Sequence, residues 1–473
     1  MSKAVKLNWN DLAGILGWIL AILVPIAIFY ELHIHNFDQT KNYFITFFSS
    51  ALILWMFRLV HYLLPAILLV AFCLLLNVVP QTVILSGFIS KSFFLVLTFS
   101  FLGAIILKAN LLLRPVLWLL ARIPSRMVWL EAVLYFMGFF SSAIINVQTN
   151  RFDITVPLYR DLMRESNLTT NPIARGCLSM ALYAGTIYFS ELFLTGKATN
   201  LPILEMLPQQ TQLHFTWINW LIAASVPVII MQALLLIIFF VFFHRPVHFT
   251  IDRADLKKRL SALGKFSFAE IIAIMGIILL IVGIILSSLH IVQLAWFSLA
   301  LLFFLLLFPI LNKNEFRSYI NWAFLLYLGA IIGIVQGIHY LNVDSLILNA
   351  FPALFVWATK NIYAFIIIVF FICMVSTFLI GSVASIILLL SILLPLAAAL
   401  DISPWILAFV IAVSCEAWFI PYQSTYHLYF EELVENDAII NVKKIIQMNL
   451  IFIPCRFIGL LLAVFYWRYL GLL

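Results

Sequence analysis

Apolar residues run along this chain in long unbroken blocks, at about 13–30, 43–57, 62–79, 92–107, 128–147, 173–194, 218–243, 269–288, 292–311, 321–341, 362–380, 383–420 and 446–470. Most approach the ~18 to 24 residues that a helix needs to cross roughly 30 Å of hydrocarbon. The polar-apolar alternation of a membrane barrel strand is absent, so the pattern predicts helices rather than strands. The block at 383–420 is too long for one passage, and Asp401-Ile402-Ser403-Pro404 punctuates it. Splitting it there gives eleven full spans and two hairpins that each enter and leave on one side. The expected fold is an all-α integral membrane bundle.

Two polar interruptions stand out. INVQTNRFD breaks the stretch from 128 to 165, and TGKATN breaks the one from 173 to 205. Irregular backbone at membrane depth survives only where it lines a cavity or is buried in protein. A related order follows later in the chain. Each region has a hairpin with a proline after its polar tip (Pro157; Pro395), a broken span ending in a polar cluster (LTGKATN; IPYQSTY), and a late span carrying a proline (Pro227; Pro454). Such a duplication predicts an inverted repeat with a binding site between paired broken helices.

Composition agrees with lipid as the solvent: 65% of the residues are hydrophobic and only 10% charged, against roughly half and a quarter in soluble domains. The five cysteines lie inside apolar blocks without a CxxC and read as small buried hydrophobes. Two lysines precede the first apolar block, which reads as a first span rather than a removed signal peptide. With the N-terminus inside, twenty of the 27 basic residues fall in inside segments. Lys41, Lys91, Lys360 and Arg468 fall outside, and Arg151, Lys197 and Arg456 fall within apolar regions. That asymmetry is the positive-inside pattern, so the net charge of +7 does not point to nucleic acid. The basic stretch at 252–265 reads as a cytoplasmic loop.

Six charges sit at membrane depth: Arg151, Asp153, Glu191, Lys197, Glu416 and Arg456. Each costs a few kcal/mol there without a partner, a water-filled cavity or a function. Arg151 and Lys197 fall in the polar breaks, where helix N-termini expose N–H groups that attract anions. Arg456 reads instead as a structural or interfacial charge. His244 and His248 have the i,i+4 spacing of metal ligands, but Arg245 and Pro246 lie between them and no acidic ligand is near in sequence. No HExxH, GxSxG or P-loop is present.

The segment LSGFISKSFFLVLTFSFLGAIILKANLLLRPVLWLLARIP (85–124), with Leu113 and Arg114, resembles divalent-anion:sodium symporters, a family that includes dicarboxylate transporters. FTWINWLIAASVP (Trp220, Pro227), INW before LLYLGAI (Trp322, Gly329), and the end from Pro454 through VFYWRYLGLL are similar to the same family, in matching order. The resemblance implies a homodimer with scaffold and transport domains and an elevator-type movement. It divides the chain into scaffold spans 1–4 at 1–127, a first transport repeat at 128–243, a basic cytoplasmic loop at 244–268, scaffold spans at 269–345 and a second transport repeat at 346–473.

In the family, two Ser-Asn-Thr triplets at the hairpin tips and two clusters in the broken helices hold the substrate carboxylate and sodium. Here the first triplet position reads Val147-Gln148-Thr149, and the second reads either Ser385-Ile386-Ile387 or, one turn earlier, Gly381-Ser382-Val383-Ala384. Thr195, Gly196 and Asn200 retain the first cluster, with Lys197 where relatives carry a small or hydroxylic residue, and Pro421-Tyr422-Gln423-Ser424-Thr425 replaces its partner. The substrate-binding set implied is Gln148, Thr149, Asn150, Thr195, Gly196, Asn200, Ser382, Ser385, Ser424 and Thr425, with Arg151, Asp153, Glu191, Lys197 and Glu416 as charge-compensating or coupling groups.

The expectation is a secondary transporter of small dianions, di- or tricarboxylates, in a cell inner membrane, with no cofactor beyond sodium as a coupling ion. It either couples to sodium or exchanges anions independently of it. Two other classes stay open: a membrane-embedded enzyme acting on a lipid-linked substrate through Glu191, Glu416 or His427, and a transport-inactive sensor of the same fold.

Overall fold

A computed structural model describes residues 9–57, 59–249, 253–289, 291–343, 361–399, 402–435 and 437–473. Asp401, part of the expected punctuation, and the basic residues Lys3, Lys6, Arg58 and Lys360 lie outside them. The described residues are all helix, turn and loop, without a strand. The nineteen principal helices are α1 (Trp9–Ile34), α2 (Gln39–Met56), α3 (Leu63–Leu75), α4 (Lys91–Ala109), α5 (Leu113–Leu120), α6 (Met127–Ile144), α7 (Gln148–Glu165), α8 (Pro172–Ile187), α9 (Asn200–Met206), α10 (Trp217–Ile238), α11 (Arg253–Ala262), α12 (Phe268–Ser288), α13 (Leu294–Leu306), α14 (Trp322–Tyr340), α15 (Ile362–Ile380), α16 (Ser382–Ala399), α17 (Pro404–Ser414), α18 (Thr425–Leu433) and α19 (Val442–Tyr469).

Among the described residues, eight helices are long and apolar enough to span a bilayer. Shorter apolar helices such as α3, α13 and α17 account for further apolar blocks seen in the sequence. The outer faces confirm the solvent. Ile15, Leu16, Trp18, Ile22 and Leu23 of α1, and Phe136 and Phe140 of α6, are exposed. Such surfaces in water would cause association, whereas lipid tails solvate them. All five cysteines are buried and free.

Local chemistry places the helix ends. Asn171 caps α8, its side chain accepting from the backbone N–H groups of Ile173 and Ala174 at 3.0 Å, with Pro172 in the first turn. Ser267 and Glu270 form a capping box at the start of α12. Helices α6 and α7 make the first hairpin, turning through extended Ile145 and Val147. Helices α15 and α16 make the second, turning at Gly381 alone. Gly381 has φ +80° and ψ 168°, a conformation that a side chain makes costly. This puts the second tip at Gly381-Ser382 rather than one turn later at Ser385.

After each hairpin comes a broken helix. Residues 188–199 separate α8 from α9, and residues 415–424 separate α17 from α18. A long span, α10 or α19, follows. The order hairpin, broken helix and span therefore occurs twice, and the two late spans pack on each other. Of the remaining helices, α1 to α4 and α12 to α14 pack mainly among themselves, and α5 and α11 pack on each other.

The first hairpin meets the first broken helix backbone to backbone. A methyl at Gly138 would lie 2.1 Å from the Gly185 carbonyl carbon, and one at Gly185 would lie 2.4 Å from the Tyr135 oxygen. Small residues at such crossings let van der Waals packing replace the hydrophobic drive that lipid removes. Gly138→Ala is accordingly expected to lower the stability of the detergent-purified protein by about 1–3 kcal/mol, since neither backbone can yield. Gly14→Ala, in open space, serves as the control in the same thermal-unfolding measurement and should not be destabilising.

Candidate functional site

The two hairpin tips and the two helix breaks converge on one cavity of about 650 Å³. Gln148 and Thr149 enter from the first tip, Lys197 and Thr199 from the first break, Ser382 from the second tip, and Glu416, Thr425 and Tyr426 from the second break and α18. The facing wall is largely aromatic: Trp55, His61 and Tyr62 around the α2–α3 connection, and Phe324 and Tyr327 of α14.

Four helices begin at this cavity: α7 at Gln148, α9 at Asn200, α16 at Ser382 and α18 at Thr425. The first turn of a helix leaves N–H groups without intrahelical partners and carries the positive end of the helix dipole. Val147 and Thr199, the residues before α7 and α9, provide no side-chain cap. Ser424 caps α18 by accepting from the His427 N–H at 3.3 Å. The buried hydroxyls of Thr199 and Ser382 have no partner within the protein. The cavity thus presents donors and positive dipole ends from both repeats.

The charges at membrane depth are held individually. Lys197 forms an ion pair with Glu416, the side chains being 2% and 1% exposed, and the second Glu416 oxygen accepts from the Tyr426 hydroxyl at 2.6 Å. Arg151 donates to the Ser142 hydroxyl, to the carbonyls of Thr186 (2.7 Å) and Gly196 (2.8 Å), and to the Ser190 hydroxyl (3.1 Å). It therefore ties the first hairpin to the first break. Arg456 donates to the Val413 carbonyl at 3.1 Å and lies over the Phe452 ring at 4.8 Å. Glu191 is buried, with Arg456 and Lys197 as the cations acting on it. Asp153 accepts from the Tyr429 hydroxyl at 2.6 Å. Three cations and three carboxylates sum to zero, which is how a low-dielectric interior tolerates them.

Of the residues singled out in the sequence, Gln148, Thr149, Ser382, Thr425, Lys197 and Glu416 line the cavity. The others stand behind that lining. Thr195 donates to the Ala143 carbonyl at 2.8 Å and accepts from the Trp217 indole at 3.1 Å. Gly196 holds Arg151, and Asn200 donates to the carbonyls of Ser190 and Phe193 at 3.0 Å. Asn150 reaches the Tyr319 carbonyl at 3.5 Å, and Ser385 pairs with Ser376 at 2.9 Å.

Sequence reading missed Thr199, Tyr426, Tyr429 and Glu432, and the whole aromatic wall. Tyr426, Tyr429 and Glu432 recur at i, i+3 and i+6, a helical stripe visible once α18 is known to begin at Thr425. Nothing local marks the wall, whose residues come from apolar blocks far away in the chain.

The alternative acid/base groups are all buried, and they differ in whether they line the cavity. Glu416 lines the cavity, whereas Glu191 and His427 do not, and His427 faces the Tyr183 hydroxyl at 3.0 Å. His244 meets Glu131 at 2.8 Å, an acidic neighbour invisible in sequence. Among the described residues no three His, Cys, Asp or Glu side chains form a metal-holding group.

Replacing Arg151 strands four acceptors at once. Arg151→Met is expected to lower thermal stability by about 3–5 kcal/mol, because several buried acceptors lose their donor. Arg151→Lys, which keeps the charge but not the fork of donors, should fall between wild type and Met in the same unfolding series.

No curated protein matches the chain. The family model of the sodium:sulfate symporter transmembrane region matches residues 12–473, nearly the whole length. The protein therefore belongs to the sodium:sulfate symporter family, and with that membership it is a multi-pass membrane protein of the sodium-coupled, anion-carrying class.

Proposed function

We propose that the protein is a secondary active transporter of small dianions, di- or tricarboxylates, working by elevator-type alternating access. The observation carrying this reading is the cavity where four helix N-termini from two hairpins and two breaks meet beside Lys197. Its volume of about 650 Å³ is in the range of small-molecule sites. N–H groups, hydroxyls and an ammonium suit carboxylates, since hydrogen bonds to a charged acceptor are the strong ones. In this reading Gln148, Thr149, Ser382 and Thr425 contact the substrate. Thr195, Gly196, Asn150, Asn200, Ser385 and Ser424 shape the backbone behind them.

Packing supports the elevator. Helices α6 to α10 and α15 to α19 form the moving part, and α1 to α4 with α12 to α14 form the scaffold whose aromatic face lets the moving part slide. A homodimer in a cell inner membrane with a cytoplasmic N-terminus completes the proposal. The distribution of basic residues supports that orientation.

One observation favours a second version. Arg151 occupies the Thr186 and Gly196 carbonyls, oxygens of the kind that bind sodium, with its own guanidinium. A fixed cation there supports sodium-independent exchange. Reconstitution into liposomes separates the versions. Symport predicts saturable uptake of labelled succinate that collapses when choline replaces sodium. Exchange predicts uptake that is indifferent to choline but requires dicarboxylate inside the vesicle. Absence of saturable uptake of succinate, citrate and sulfate in both conditions defeats the transporter reading.

A further inference from the structure

We propose that the Glu416 carboxylate is a tethered stand-in for the substrate's carboxylate: it neutralises Lys197 in the unloaded cavity and yields that cation to an arriving anion. The inference rests on reading the cavity as an anion site, and it names Lys197 as the residue that sets anion affinity and Glu416 as its internal competitor.

Three observations carry it. First, Lys197 and Glu416 come from the two helix breaks, and both line the cavity. Their pairing therefore lies in the cavity wall, with both side chains almost fully buried. Second, Glu416 takes what an incoming carboxylate would take from that wall, the Lys197 ammonium on one oxygen and the Tyr426 hydroxyl on the other. Third, the neighbouring cations are committed elsewhere. Arg151 is engaged by four acceptors, and Arg456 by the Val413 carbonyl and the Phe452 ring. Lys197, on a flexible four-carbon stem, can turn from one carboxylate to another with a small movement.

The competing explanation is a structural staple joining the two repeats, and the two make opposite predictions about affinity. If Glu416 competes with substrate, the apparent dissociation constant is the intrinsic one divided by the fraction of time that Lys197 is free. Removing the competing charge then tightens binding. If Glu416 merely staples, removing it loosens the cavity and weakens binding.

The test uses the purified full-length protein in nanodiscs, with thermal unfolding followed against succinate and against sulfate. Glu416→Gln should melt lower than wild type without ligand, because a buried cation has lost its partner. It should bind succinate at least about tenfold more tightly and regain stability at saturation. Glu416→Asp should restore affinity toward wild type, and Lys197→Met should abolish binding. The double variant Lys197→Met with Glu416→Gln removes both charges. It should recover the unliganded stability that Glu416→Gln loses while still binding neither anion, which separates lost affinity from lost folding. Unchanged or weaker binding by Glu416→Gln, alongside a wild type that binds, overturns the inference and leaves the transporter reading standing. Binding by Glu416→Gln alone upholds the inference and counts against transport by the wild type. Binding by neither protein overturns both.

Discussion

Everything near the centre of this protein answers to one constraint: a charge taken out of water must be met by protein. Here the six charges at membrane depth cancel; five are held by specific hydrogen-bond or ion-pair partners, and Glu191 is buried near Arg456 and Lys197. The Lys197–Glu416 pair joins residues 219 positions apart and brings the two helix breaks together. Arg151 does the corresponding work within the first repeat, linking hairpin to break through four acceptors. With the ionised side chains balanced, helix N-termini add positive potential around the cavity beside Lys197. Helix N-termini favour anions without adding an ionised group to a membrane interior.

That arrangement depends on backbone being brought unusually close. Gly138 and Gly185 let α6 lie against α8, and this contact sets the first tip beside the first break. Gly381 turns the second hairpin within a single residue, which aims the start of α16 at the same cavity. Duplicated order along the chain thus becomes convergence in space. Each repeat supplies one tip and one break, and neither repeat alone encloses the site.

Much of the architecture was legible in the sequence because its cause is local. Apolar blocks of membrane length become helices, and polar breaks inside them become the interrupted spans around residues 188–199 and 415–424. The tip at Gly381 was legible as a glycine but not as a position, since the family's triplet could be placed either at Ser385 or one turn earlier at Gly381-Ser382. The side chains that face the cavity were less accessible. Thr195 and Asn200 sit in the expected cluster yet turn their polar atoms toward Ala143, Ser190 and Phe193, because buried carbonyls freed by the break need donors. The Lys197–Glu416 and His244–Glu131 pairings bridge long separations, and no pattern within one window encodes a partner that distant.

The same accounting bears on movement. A body that slides through a membrane as a unit must keep its buried polar contacts internal, since any contact left behind strands a partner in low dielectric. The bonds of Arg151, Lys197 and Arg456 all close within the two repeats. Polar contacts also cross to the other helices. Glu205 of α9 accepts from the first N–H groups of α4, those of Lys91 and Ser92, at 3.2 and 3.1 Å, and Arg259 of α11 pairs with Glu165 at the end of α7 at 2.9 Å. Lys91 and Arg259 are exposed, so the groups those two residues release can be taken up by water, whereas Ser92 and Asn150, which reaches the Tyr319 carbonyl, are buried. In the proposed elevator the contacts of the three buried cations would travel as a unit, while those that cross to the other helices would have to be exchanged.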